Sequence, residues 1–202
     1  MSDSTLTRRD LVRIALSVTA AGGAIDTLSA QHVHEMAAAD KAVNGGVYKP
    51  KVFNEHEYRT LQKLAELIIP ADDVSPGALD SGACEFIDLL ASNNSELAAK
   101  YTGGIAWLDR EMRRRYDAKF VDAKPEQQTV MLDLIAYRKT VADSPELAAG
   151  VEFFRWARMM VVDGFYTSKI GIADAGYMGN TAMAKFEVPQ AAIDYALKRS
   201  PV

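Results

Sequence analysis

The sequence is poor in the residues that build metal and redox centres. Its 202 residues include one cysteine, Cys84, and three histidines. A single thiol forms no intramolecular disulfide and no multi-cysteine metal site. No Glu-x-x-His string is present for a carboxylate-bridged di-metal centre in a helical bundle. Only His32, His34 and Glu35 lie close enough along the chain to suggest a weak metal site, and we expect that stretch to be mobile.

Signatures of other enzyme classes are also missing. The chain has no Gly-x-Ser-x-Gly nucleophile elbow, and no strand pattern precedes Gly171 and Gly176 as a dinucleotide fingerprint requires. The formal net charge of −4 argues against general nucleic-acid binding, which needs a basic field. We therefore predict no catalytic, cofactor-binding or metal-ligating residues in this chain. Its composition suits a partner or scaffold protein better than a lone enzyme.

The N-terminus has the pattern of an export signal. Arg8 and Arg9 precede a mildly apolar stretch over residues 14–25. As a helix this stretch would rise roughly 18 Å, too short for a hydrocarbon core of about 30 Å, so we predict no membrane span in the mature chain. Paired arginines with weak hydrophobicity favour the twin-arginine route to the periplasm. We predict this signal over residues 1–30, ending at Ala30, although an ordinary amphipathic helix is the alternative.

The rest of the chain has helical patterns. Residues 31–52 are predicted to be a flexible segment. Asn54 and Glu57 then form a capping-box pattern ahead of apolar residues at helical spacing, and Pro70 ends that run. Pro125 and Pro145 mark two later helix starts, while sustained strand alternation is absent. The sequence therefore predicts an all-α bundle of about five helices over residues 53–166.

Glycines become frequent near the C-terminus. From Gly164 onward they combine with aromatic residues in a stretch too apolar for a free linker, which predicts an ordered loop packed on another surface. Pro189 then favours a last short helix. We predict a glycine-rich arm and a short terminal helix over residues 167–202.

Several of these stretches, taken together, resemble a known family. They are the twin-arginine leader, residues 67–72 followed by 75–78, Phe86-Ile87-Asp88, and residues 164–168 with 176–180. In this order they are similar to the gluconate 2-dehydrogenase subunit 3 family, the small gamma subunits of bacterial FAD-dependent sugar dehydrogenases. The resemblance covers roughly residues 53–180 and the leader.

The resemblance implies a non-catalytic subunit of a periplasmic FAD-dependent sugar or glycoside dehydrogenase, the class that includes glycoside 3-dehydrogenases. Such subunits bind a large flavoprotein of the glucose–methanol–choline type, which holds the FAD, and they support its twin-arginine export and maturation. A cytochrome c is a common further partner. Some members carry a Gly-Cys-Pro string near the tail, where this chain has Phe186-Glu187-Val188-Pro189, so a role of that cysteine in electron transfer does not carry over.

The motifs also suggest where a partner would bind. The residues predicted for this interface are Pro76, Gly77, Phe165, Tyr166, Gly176, Tyr177, Gly179 and Asn180. The alternative is that the C-terminal arm packs on its own bundle. Two other functions stay open at this point: a free-standing periplasmic helical scaffold or binding protein, and a metalloenzyme using His32, His34 and Glu35.

Overall fold

A computed structural model describes residues 27–177 and 188–199, with side chains from residue 29 onward. Within these ranges the chain forms ten α-helices, two short 3-10 turns and no strand, which confirms the predicted all-α class. The helices are α1 (Thr27–Val43), α2 (Glu55–Ile68), α3 (Gly77–Asp80), α4 (Ala83–Ser92), α5 (Ser95–Tyr116), α6 (Pro125–Ile135), α7 (Thr140–Asp143), α8 (Ala148–Tyr166), α9 (Lys169–Asp174) and α10 (Gln190–Arg199). The 3-10 turns span Phe120–Asp122 and Pro145–Leu147.

Helix α4 lies at the centre of the bundle. It contacts α1, α2, α5 and α8, and all residues from Ala83 to Ala91 are buried. A helix that is apolar on most of its surface is stable only when neighbours cover it all round. Helix α8 is the second organising element, because it packs against α2, α4, α5 and α6.

Two of the three predicted helix starts are confirmed, and the third differs in the structure. Asn54 accepts a hydrogen bond from the backbone of Glu57, whose carboxylate accepts one from the Asn54 backbone, each at 3.0 Å, so the capping box of α2 is confirmed. Helix α6 begins at Pro125 as expected. Pro145 instead begins a 3-10 turn, and α8 starts three residues later.

The prediction of a flexible segment over residues 31–52 is wrong for its first part. Helix α1 continues to Val43, and Ala30, Val33 and Ala37 are buried against the core. These three small side chains recur at helical spacing but form only a narrow apolar stripe. Because the surrounding residues are alanines and polar residues, the sequence shows little helical periodicity there. The predicted end of the leader at Ala30 therefore lies within a packed helix, while Arg8 and Arg9 lie outside the described residues.

A buried carboxylate fixes the connection between α1 and α2. Asp88 of α4 is fully buried and accepts a hydrogen bond from the Tyr48 hydroxyl at 2.8 Å. It also accepts the backbone N–H groups of Lys51, Val52 and Phe53 at 2.7, 3.1 and 3.2 Å. We call this arrangement the Asp88 latch. It stabilises a connection that has no regular secondary structure of its own.

The glycine-rich region is more helical than expected. Helix α8 continues through Tyr166, so Gly164 and Phe165 are helical residues rather than part of a loop, and α9 follows directly. Helix α10 confirms the short terminal helix after Pro189, and each of its residues is exposed.

Candidate functional site

The loop between α2 and α3 contains the first of the family-like motifs. The carboxylate of Asp72 accepts the backbone N–H groups of Val74 at 2.8 Å and Ser75 at 2.7 Å, and these bonds lower the pKa of Asp72. The backbone N–H of Ala78 donates to the carbonyl of Ile69 at 2.9 Å and closes the loop. The motif is thus held rigid by its own backbone and by one aspartate.

Gly77 is required by this loop. Its φ of +79° favours glycine, and a Cβ there would lie 2.6 Å from the backbone nitrogen of Ala71. Gly77 is buried, whereas Pro76 and Val74 at the loop tip are exposed, Val74 by 85%. A partner protein could therefore contact the tip but not Gly77 itself.

The family-like motif at residues 164–168 includes the contact between α8 and α4. A Cβ on Gly164 would lie 3.1 Å from Cα of Ala83, so the glycine lets the two helices approach closely. Phe165 next to it is only 1% exposed and belongs to the core. The prediction of a loop from Gly164 onward is wrong at this position. Gly164 allows close packing of α8 on α4, and this role becomes visible only when Ala83 is placed beside it.

A tight corner then joins α8 to α9. The Ser168 hydroxyl donates to the carbonyl of Phe165 at 2.6 Å and accepts the N–H of Gly171 at 3.0 Å. A Cβ on Gly171 would lie 2.1 Å from the Phe165 carbonyl oxygen, so the corner needs glycine there. The corner leaves Tyr166 and Tyr177 at the surface, 47% and 55% exposed.

The structure divides the predicted interface into three groups. Pro76, Tyr166, Gly176 and Tyr177 are exposed, and no finding tests their contact with a partner, so this stays a prediction. Two members have roles inside the chain's own fold, namely Gly77 and Phe165. The last two, Gly179 and Asn180, lie outside the described residues.

The histidines near the N-terminus do not converge. His32 is exposed, with Nδ1 3.3 Å from an oxygen of Glu35. His34 points inward, stacks on Phe86 with ring centroids 4.9 Å apart, and has Nε2 3.2 Å from the Thr167 hydroxyl. Burial lowers the pKa of His34. The described residues contain no cluster of three or more His, Cys, Asp or Glu side chains suited to a metal ion, so nothing there supports the metalloenzyme alternative.

Sequence reasoning missed the partner of His56. Its Nε2 lies 2.5 Å from a carboxylate oxygen of the buried Asp109, whose other oxygen accepts the backbone N–H of Phe120 at 3.0 Å. The pair joins α2 to α5, and α5 to the following 3-10 turn. The sequence does place Asp109 at an inward position of α5, which indicates that this carboxylate needs a partner. Its partner, His56, is 53 residues away in sequence, so local spacing does not reveal the pair.

Cys84 is a structural residue. It is 1% exposed, and burial raises the pKa of its thiol. A protonated thiol without solvent access is unreactive. In the sequence Cys84 lies on an apolar helical face, a position that predicts a buried structural thiol, and its burial confirms this prediction.

Comparison with known proteins gives one match. A family model described as gluconate 2-dehydrogenase subunit 3 matches residues 55–184. No similar curated protein and no similar solved structure was found. A search of the described helices finds none with the length and apolar character needed to cross a membrane.

Proposed function

Because the chain belongs to the gluconate 2-dehydrogenase subunit 3 family, we propose that it is the non-catalytic small subunit of a periplasmic FAD-dependent sugar or glycoside dehydrogenase. It binds the large flavoprotein subunit and supports that subunit's export and maturation. The family match over residues 55–184 is the observation that carries the proposal. Membership itself makes the chain an accessory subunit of a dehydrogenase complex.

The polar groups of the interior agree with an accessory role. Asp88 accepts four donors from the α1–α2 connection, and Asp109 binds His56 and a backbone N–H. Each of these carboxylates is used to hold elements of the fold together. These two buried carboxylates thus have structural partners, and FAD belongs to the proposed large subunit.

Export gives the association a physical reason. Insertion of FAD requires a folded large subunit, and the twin-arginine route carries folded proteins. A folded partner without a signal of its own must bind tightly to a chain that has one, and tight binding needs an extensive surface. We propose that Arg8 and Arg9 supply the signal and that a cytochrome c accepts electrons from the assembled complex.

The decisive experiment is isolation of the tagged chain from its own cells, with the eluate measured for flavin absorbance and dye-linked sugar oxidation. The proposal expects a co-purifying flavoprotein with dehydrogenase activity. A colourless single chain contradicts it and favours the free-standing scaffold. Flavin and activity on the purified chain without a large subunit would also contradict it.

The exposed tyrosines of the predicted interface can be tested in the same experiment. Tyr166→Ala combined with Tyr177→Ala should reduce the recovered flavin. Tyr137→Ala is the control, because Tyr137 is 60% exposed and is not among the residues predicted for the interface. Equal recovery from all three preparations would remove these tyrosines from the interface.

Export is tested separately. Arg8→Lys with Arg9→Lys keeps the charge but removes the guanidinium pair, so we expect both this chain and the flavoprotein to remain in the cytoplasm. The matched control is Arg13→Lys, just outside the pair. Normal periplasmic recovery of the double variant would refute the twin-arginine assignment without affecting the association.

A further inference from the structure

Helix α1 is attached to the bundle in large part by polar contacts. Its fully buried apolar side chains are small, namely Ala30, Val33 and Ala37. Small side chains remove little apolar surface from water, so they contribute little to the attachment. Two polar contacts add to it: Lys41 forms an ion pair with the buried Glu85 of α4, and His34 contacts Thr167 after α8.

The contact of His34 with Thr167 fixes which ring nitrogen carries a hydrogen. The Thr167 hydroxyl donates to the carbonyl of Asp163 at 2.6 Å, so its oxygen acts as an acceptor toward the ring. Nε2 of His34, 3.2 Å from that oxygen, is therefore the donor. A neutral imidazole meets this requirement and leaves Nδ1 without a hydrogen. Stacking on Phe86, with ring centroids 4.9 Å apart, holds the ring in this orientation.

The free nitrogen Nδ1 lies near a carboxylate that already has a partner. Nδ1 and a carboxylate oxygen of Glu85 each lie 3.9 Å from the position that a Cβ would have on Gly82. Glu85 therefore favours a proton on the ring. Its other oxygen, however, is bound by the ammonium of Lys41 at 2.5 Å, so part of its charge is compensated.

A cavity of about 330 Å³ between α1 and α9 gives the ring a route to solvent. Among its exposed lining residues, Glu35 attracts and Lys169 repels a charged ring. Burial has the largest influence on His34 and outweighs the attraction of the Gly164 carbonyl and of Glu85, so the pKa of His34 is lowered. The docked position of α1 thus favours the neutral ring.

We propose that His34 is a pH-sensitive clasp, which holds α1 on the bundle while its ring is neutral and releases α1 when the ring takes up a proton. Because the pKa is lower in the docked state, attachment is complete above the usual value of 6.5 and weakens as pH falls through the docked value. Asp163 acts in the opposite direction, since its raised pKa makes acid stabilise the fold. The clasp belongs to the chain alone and does not depend on the proposed function.

Hydrogen exchange of the α1 amides in the whole chain tests the clasp. Protection is measured at pH 7.5 and pH 5.5, corrected for intrinsic exchange and compared with the amides of α5. In the wild-type chain we expect protection of α1 to fall about threefold to tenfold at the lower pH. His34→Gln keeps a side-chain N–H donor but does not titrate, so its protection should be similar at both values. His32→Gln, at an exposed position of the same helix, is the matched control and should behave as the wild type.

Two results would overturn the inference. One is unchanged α1 protection in the wild-type chain, or the same fall in His34→Gln. The other is a fall that disappears in Glu85→Gln but persists in His34→Gln, which would assign the pH sensitivity to the pair of Lys41 and Glu85.

A second measurement covers the case in which His34→Gln already frees α1 at pH 7.5. The imidazole signals of the wild-type chain are then titrated by nuclear magnetic resonance. The clasp requires α1 protection to fall over the pH range in which His34 titrates. A fall that follows His32 or His56 instead would refute it.

Discussion

Replacement of Asp88, on α4, by alanine should strongly destabilise the connection between α1 and α2. The substitution removes the acceptor of four donors: the Tyr48 hydroxyl and the N–H groups of Lys51, Val52 and Phe53. Hydrogen bonds to a charged acceptor contribute about 1.5–3 kcal/mol each but are not additive, and part of the segment can reach water after the change. We expect the free energy of unfolding to fall by about 3–5 kcal/mol.

Two milder variants establish the scale. Asp88→Asn keeps the shape but turns one acceptor oxygen into an NH₂ group that faces donors, so we expect a loss of about 2–4 kcal/mol. Tyr48→Phe removes a single donor and should cost about 1 kcal/mol. Because Tyr48→Phe is expected to fold, the series stays informative even if Asp88→Ala does not.

The assay is urea unfolding followed by circular dichroism, with hydrogen exchange of the amides of residues 51–53. Loss of the latch should accelerate exchange of these three amides in Asp88→Asn before other parts of the core respond. A loss below about 1 kcal/mol for Asp88→Ala, with unchanged exchange, would refute the role of the carboxylate.

Three further predictions concern single residues of the bundle. Burial raises the pKa of Asp163 to about 6 from the usual 3.8, so the folded chain binds this proton more tightly and stability falls as pH rises between these values. Asp163→Asn should therefore add about 1–2 kcal/mol at pH 7.5 and little at pH 4, measured by urea unfolding at both; equal effects would contradict this. Gly104→Ala should cost about 2–3 kcal/mol, because the new Cβ would meet Phe153, and an unchanged thermal midpoint would show that the ring can move. Cys84 should resist a thiol reagent in the native chain and react in denaturant, so fast native labelling would contradict its burial.

Local signals predicted a large part of the fold. The start of α2 at the capping box and its end before Pro70 depend on interactions within a few residues, which the sequence displays directly. The buried state of Cys84 followed from its place on an apolar helical face. The family assignment rested on several short motifs that follow one another in a particular order along the chain. The family match over residues 55–184 agrees with it.

Features that depend on distant residues were missed. Helix α1 is held by close packing of small side chains on α4, and alanines give little periodic signal. Gly164 suggests a loop until Ala83 is placed beside it. Likewise, Gly103 and Gly104 are adjacent and identical in type, yet only Gly104 has a neighbour that excludes a side chain.

The burial of α1 means that the family match and the folding unit have different limits. The match begins at residue 55, whereas α1 contributes Ala30, Val33 and Ala37 to the same core and joins it through Lys41 and the buried Glu85. A chain trimmed to the matched residues would leave one side of α4 uncovered. For the same reason, mechanical load applied at the start of α1 acts on the buried contacts of Ala30, Val33 and Ala37. Tension at the start of α1 would thus reach the body of the bundle directly.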